Sequence, residues 1–182
     1  MDEIITVVDT EDNVSGPGEK MEVHRNNILH RAFSVFVFTK NGDLILQQRA
    51  HSKYHCGGEW SNTCCGHPRY GEELESATHR RLFEEMGFDC QLTELFTFHY
   101  QTTFANGLSE NEIDHVFVGV YDGAINSNLD EVAHTATLSL SVLSNRMKEG
   151  EDEYTYWFEY IIKDKTYFNL LQEYVGVNSC PR

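Results

Sequence analysis

The stretch GHPRYGEELESATHRRLFEEMGF, residues 66–88, decides how the rest of the chain is read. Leu74, Ala77, Leu82 and Met86 recur at helical spacing. Glu72, Glu73 and Glu75 gather where a helix carries its positive N-terminal end, and Gly87 stands where a C-terminal cap is needed. The pattern predicts a helix between Gly71 and Gly87. On it, Arg81 and Glu85 share a face, and Arg80 and Glu84 share a neighbouring one. A carboxylate on such a helix, facing a loop, can hold Mg2+, which characteristically bridges to substrate phosphates. An exposed helix carrying ion pairs of ~0.3–0.5 kcal/mol each also accounts for the charges, so the helix alone leaves both readings standing.

Outward from this helix the chain reads mostly as strands. Ile4–Val8, the aromatic and β-branched run Phe33–Thr39, and Asp43–Gln48 are strand-like. Asn41-Gly42 between the last two is a hairpin signal, and Asp12, Asn13, Ser15, Gly16, Pro17 and Gly18 mark a turn. Further strands are expected at Leu92–Tyr100, Glu112–Tyr121 and Ala136–Leu140, then a short helix, then one C-terminal helix over Tyr156–Val175. Strands with irregularly interspersed helices predict an α/β fold of the layered α+β kind rather than a doubly wound sheet.

The chain of 182 residues suits one domain, 1–182, with enough apolar residues (40%) to bury a core. A net charge of −15 argues against nucleic acid as a partner, because such a surface repels phosphate backbones. No apolar run approaches the roughly 20 residues of a membrane span. The acidic start MDEIITVVDTEDN lacks the basic residues of a targeting peptide, and five cysteines without framework spacing read as reduced thiols. A cytoplasmic protein, monomeric or weakly dimeric, with a small-molecule substrate is expected.

Three further segments carry chemistry. In NTCCGHP (62–68), an extended backbone turns Cys65 and His67 to the same side. A thiol beside an imidazole can be nucleophile, metal ligand or proton donor, while single residues of either type usually serve packing. In HRNNILH, His24 and His30 stand six apart, a spacing that needs a loop to bring the rings together. In ENEIDHVFVGV, strand alternation puts Glu110 and Glu112 on one face, with Asp114 beside them. A solvated strand end explains these carboxylates; so does a cation between them. Taken together, His24, His30, His67, Glu110 and Glu112 form a donor set for one divalent ion such as Zn2+, Mn2+ or Mg2+.

The spacing of Gly66, Glu72, Arg80, Leu82, Glu84, Glu85, Gly87 and Phe88 resembles the Nudix box of enzymes that act on diphosphate compounds. Arg81 stands where hydrolysing members carry a glutamate, which fits a diphosphate gripped but not cut. HRNNILHRAFSVFVF, LQQRAHSK, WSNTCCGHP, FHYQTTFANGLSENE and YTYWFEY extend the likeness over nearly the whole chain. The chain resembles the type I isopentenyl diphosphate isomerases of the Nudix superfamily.

That resemblance implies a Nudix-type mixed β-sheet sandwiched between helices. It implies a 1,3-allylic proton shift between isopentenyl and dimethylallyl diphosphate through a carbocation. Cys65 and Glu112 would flank the substrate, with Tyr100 bonded to the glutamate and Trp157 lining the pocket. His24, His30, His67, Glu110 and Glu112 would hold one metal ion. Glu85 would help hold Mg2+ on the diphosphate, and Lys20, Arg49, Lys53 and Arg81 would contact the diphosphate itself. Two other functions compete: a Nudix hydrolase of a nucleoside diphosphate derivative, and a non-enzymatic domain with a structural metal. Arg81 and the ENE segment count against the first, and the lack of short Cys/His chelate spacing counts against the second.

Overall fold

A computed structural model describes residues 3–53 and 55–179. Strand β1 (Ile4–Val8) pairs with β2 (Val14–Glu19), and helix α1 (Lys20–Arg25) leads into β3 (His30–Phe38) and β4 (Asp43–Arg49). Two short strands follow, β5 (Trp60–Ser61) and β6 (Cys64–Gly66), before helix α2 (Leu74–Met86). Long strands β7 (Leu92–Thr103) and β8 (Ser109–Val120) precede β9 (Val132–Ser139). Three helices close the described chain: α3 (Leu140–Glu149), α4 (Tyr156–Lys163) and α5 (Lys165–Asn178).

The sheet is mixed. Strand β3 runs parallel to β8 along its whole length and antiparallel to β6, while β7 pairs with the far side of β8. Strand β4 carries β5 and β9 and joins β3 through the pair Phe38–Leu44, at the base of the Asn41-Gly42 hairpin. Alternation along β3 builds both cores. Phe33, Val35 and Val37 pack with Ala77, Leu82 and Met86 of α2; Phe36 and Phe38 pack with Leu143, Phe158 and Ile161 on the other side. Each such side chain, fully buried, contributes about 1.5–3 kcal/mol. Helices thus cover both faces of a mixed sheet, the layered architecture read from the sequence.

Three expectations are corrected. Ser15–Gly18 lie in β2 rather than a turn; the reversal sits earlier, where Asp9 Oδ1 accepts from the backbone N–H groups of Glu11 and Asn13. Pro17 fits because β2 pairs only with β1, so its missing N–H faces an open edge. The predicted C-terminal helix is two helices. Asp164, in extended conformation, breaks it and caps α5 by accepting from Thr166 N at 2.8 Å and Tyr167 N at 3.2 Å. Helix α1 was not expected; six residues are too few for periodicity to show, and Glu19 caps it through Met21 N and Glu22 N. The four described cysteines are unpaired thiols, and Cys180 lies outside the described residues. Among the described residues no helix is long and apolar enough to cross a membrane.

Candidate active site

The parallel pairing of β3 with β8 sets His30 directly opposite Glu112. Period-two alternation then puts Glu110, Glu112 and Asp114 on one side of β8, the side that further on buries Val116 and Val118 against the C-terminal helices. Helix α1 delivers His24 from the side, and His67 follows β6. One donor atom from each of His24, His30, His67, Glu110 and Glu112 lies within 4.8 Å of all the others, and all five residues are buried. The loop expected between the two upstream histidines is residues 26–29; it joins His24 on α1 to His30 at the start of β3 and brings their ring centroids within 4.9 Å.

Second contacts orient the rings. His24 Nδ1 lies 2.6 Å from Lys20 O, and His30 Nδ1 lies 2.8 Å from Ile28 O. A carbonyl only accepts, so each Nδ1 carries a proton and each ring turns Nε2 to the cluster, as metal-bound histidines do. There His30 Nε2 faces His67 Nε2 at 3.2 Å and Glu112 Oε1 at 3.3 Å, and His24 Nε2 faces Glu110 Oε2 at 3.1 Å. Several acceptor atoms converge on one buried point, an arrangement a divalent cation satisfies. The donor set therefore fits a metal ion. Glu110 and Glu112 are not a solvated strand end, and Asp114 is no evidence for one: it is 1% exposed and accepts from Ser34 Oγ at 2.8 Å.

Beside the cluster lies a cleft. Cys65, Glu112, Tyr100 and Trp157 line it, as do Lys20, Arg49, Lys53, Arg81 and Glu85. His67 and Glu110 also reach it, while His24 and His30, fully buried, stand behind. Tyr100 donates to Glu112 Oε2 at 2.6 Å, and burial together with the Glu112 charge pushes its phenol well above the ordinary range. Burial pushes the Cys65 thiol up to about 12, opposed in part by Arg49, whose Nη1 lies 3.7 Å from the sulfur. Trp157 belongs to the core on one side and to the cleft on the other, with Nε1 donating to Asn62 Oδ1 at 3.2 Å. Core packing and pocket wall, alternatives in the sequence, are both true of it.

Three cations of the cleft, Lys20, Lys53 and Arg81, are held by carboxylates. Lys20 pairs with Glu3 at 2.8 Å; Lys53 pairs with Glu131, which also lies 3.4 Å from Arg81. Arg81 further grips Glu84 at 2.7 Å and Glu85, and Gln47 donates to the other Glu85 oxygen at 2.9 Å. Arg80 faces away, forked onto Glu72 at 2.6 and 2.8 Å. The i,i+4 pairs read from the helix are all present, with Glu85 2% exposed rather than on a solvated face.

Sequence reading missed His55, Glu131, Gln47 and Asn62. His55 lines the cleft, while Glu131, Gln47 and Asn62 stand behind its wall, on Lys53, Glu85 and Trp157.

A NUDIX domain model matches residues 28–158. An isopentenyl-diphosphate Delta-isomerase 2 from Photorhabdus laumondii is 49% identical over 93% of this chain and 96% of its own length. An isopentenyl-diphosphate Delta-isomerase from Burkholderia multivorans is 46% identical over 90% and 93%. One from Serratia proteamaculans is 43% identical over 90% and 92%. Among solved structures, a Deinococcus radiodurans protein superposes with a TM-score of 0.74 at 19% identity, covering 88% of this chain and 98% of that one. A MutT protein from Methanosarcina mazei gives 0.62 at 16%, over 80% and 94%. The likeness to solved structures speaks for the fold, and the identity to the isomerases is far higher. The chain belongs to the isopentenyl-diphosphate Delta-isomerase family of NUDIX-domain proteins.

Proposed function

We propose that the chain, acting as one domain, interconverts isopentenyl diphosphate and dimethylallyl diphosphate by a 1,3-allylic proton shift. One observation carries the reading: a cleft that joins a cationic rim to an apolar wall, with Glu112 and Cys65 both on its surface.

Isomerisation adds a proton to C4 of isopentenyl diphosphate and removes one from C2, so the double bond moves and no phosphate bond breaks. The first event leaves a tertiary carbocation at C3. Glu112 and Cys65 handle the two protons, one each, and exchange roles in the reverse direction. Tyr100, donating to Glu112 Oε2, fixes the carboxyl group and the position of its proton. Trp157 presents a π-face to the cation, worth ~2 kcal/mol or more when desolvated. Its burial also keeps water away, which would otherwise trap the cation as an alcohol.

His24, His30, His67, Glu110 and Glu112 would hold one divalent ion, Mn2+, Zn2+ or Mg2+, which when bound neutralises the paired carboxylates and strengthens Glu112 as an acid. Glu85 would help hold Mg2+ against the diphosphate. Lys20, Arg49, Lys53 and Arg81 would bind the diphosphate oxygens, the arginines as planar forks and the lysines as point charges. Such a rim answers the overall charge of −15, because beyond ~8 Å distant surface charge is screened at physiological salt. Position 81 counts against hydrolysis: it holds a cation paired to Glu84 and Glu85 where hydrolysing members carry a glutamate.

Incubation with isopentenyl diphosphate and divalent metal in heavy water, followed by NMR, tests the reading. Dimethylallyl diphosphate carrying solvent deuterium is expected. Release of phosphate, or no exchange with metal supplied, would refute it.

A further inference from the structure

His55 is buried, sits on the turn between β4 and β5, and touches three parts of the site at once. Its Nε2 is hydrogen-bonded to Glu110 Oε1, its Nδ1 lies 3.3 Å from Arg49 Nη2, and its ring packs against Trp157 with centroids 6.0 Å apart. Guanidinium nitrogens only donate, so Nδ1 accepts and the ring proton sits on Nε2, where it is donated to Glu110. With Oε1 engaged in this way, Glu110 turns Oε2 to the histidines, 3.1 Å from His24 Nε2 and 3.8 Å from His30 Nε2.

The turn that carries His55 is tightly wound. Gly58 N donates to Arg49 O at 3.0 Å, and Lys53 N donates to Ala50 O at 3.1 Å. A Cβ at Gly57 would stand 2.8 Å from His51 O, and one at Gly58, at φ +87°, would stand 2.7 Å from His51 Nδ1. Phe104 meets the His55 ring edge-on at 5.1 Å. The backbone therefore fixes where His55 points, and the same turn carries Lys53.

We propose that His55 is a positioning residue that ties the metal centre to the diphosphate-binding rim. Through Nε2 it holds Glu110 with Oε2 turned to the cluster, where that oxygen would meet the ion; through Nδ1 it orients Arg49. The inference rests on the metal centre and diphosphate rim proposed above. It adds that the two are coupled through one imidazole.

Two isosteric variants separate the two nitrogens. The amide N–H of His55→Gln can take the place of Nε2 and keep the bond to Glu110; the amide oxygen of His55→Asn can take the place of Nδ1 and keep the bond to Arg49. The full chain is stripped with a chelator, and its Mn2+ affinity is measured by competition with a chelating dye. Inorganic diphosphate with Mg2+ is then titrated into the Mn2+-loaded protein. His55→Asn is expected to lose about 10–100-fold in Mn2+ affinity, the usual effect of removing a partner that orients a metal ligand, while His55→Gln stays close to wild type. His55→Gln is expected to weaken diphosphate binding about two- to tenfold, the effect of one lost hydrogen bond, while His55→Asn keeps it.

Wild-type Mn2+ affinity in His55→Asn, or equal losses in both variants on both measures, overturns the proposal and makes His55 a packing residue. A wild-type chain that takes up no Mn2+ overturns the metal centre itself, and this proposal with it. His55→Ala, compared by thermal melting, shows whether any loss merely follows unfolding.

Discussion

At the scale of single residues, the proposed mechanism divides the site into groups that would touch the reacting carbons and groups that position its charged rim. Glu112 and Cys65 are in the first class, so Glu112→Gln and Cys65→Ala are each expected to abolish deuterium incorporation while the far-ultraviolet circular dichroism is unchanged. Appreciable turnover by either variant would contradict the two-proton mechanism. Glu131 is in the second class. It bridges Lys53 and Arg81 from the segment preceding β9, so the cationic rim carries a carboxylate of its own. Glu131→Gln leaves an oxygen that accepts from Lys53 but removes a negative charge near the incoming anion. Inorganic diphosphate is expected to bind roughly threefold to tenfold more tightly, a screened charge effect. Weaker binding would show that the charge of Glu131 is needed to hold the two cations in place. Trp157→Ala is expected to lower kcat for isomerisation more than diphosphate affinity. An effect on affinity alone would leave Trp157 a core residue only.

At the scale of elements, α2 was the most legible part of the chain and its end the most constrained. Gly87 adopts φ +72° with its N–H bonded to Phe83 O, and a Cβ there would stand 2.2 Å from Asn126 O. Gly87→Ala must bear the left-handed conformation, of order 1–2 kcal/mol, and also move the 126 backbone. A fall in Tm of several degrees is expected in a melting experiment. An unchanged Tm would mean that the segment around Asn126 yields freely. The strands were legible for the same reason as α2: long runs with one period show clearly. Where elements are short or end on local capping, as in α1 or at Asp164, the deciding hydrogen bonds involve one or two side chains and no period exists to read. Tyr156–Val175 carries apolar residues on both sides of Lys163-Asp164-Lys165-Thr166, and four polar residues read equally well as one polar turn of a continuous helix, so the break at Asp164 did not stand out.

At the scale of the whole molecule, the cluster joins α1, β3, β8 and the end of β6, so its occupancy bears on global stability. Two buried carboxylates and three imidazoles would lose the shared counter-charge of the proposed ion on its removal. Chelation is expected to lower the Tm, and re-addition of metal at a hundredfold excess over its dissociation constant to restore about 2.7 kcal/mol. A Tm indifferent to chelator would argue that the cluster is satisfied without metal. A chain with fifteen excess negative charges concentrates cations at one cleft and surrounds them with its own carboxylates.

The amino-acid sequence by itself determined helix α2, most of the strands and the layered fold, and it picked out the five His and Glu residues that cluster in the structure; the cleft residues Lys20, Arg49, Lys53, Tyr100 and Trp157 came from the family resemblance. It could do so because periodicity, capping residues and motif spacing are local or fixed along the chain. Only the tertiary structure decided that His30 stands opposite Glu112, that Glu110 and Glu112 are buried rather than solvated, and that His55 and Glu131 belong to the site. His30 and Glu112 meet because a parallel ladder joins strands far apart in sequence, and ladder register is a property of packing that no local pattern carries.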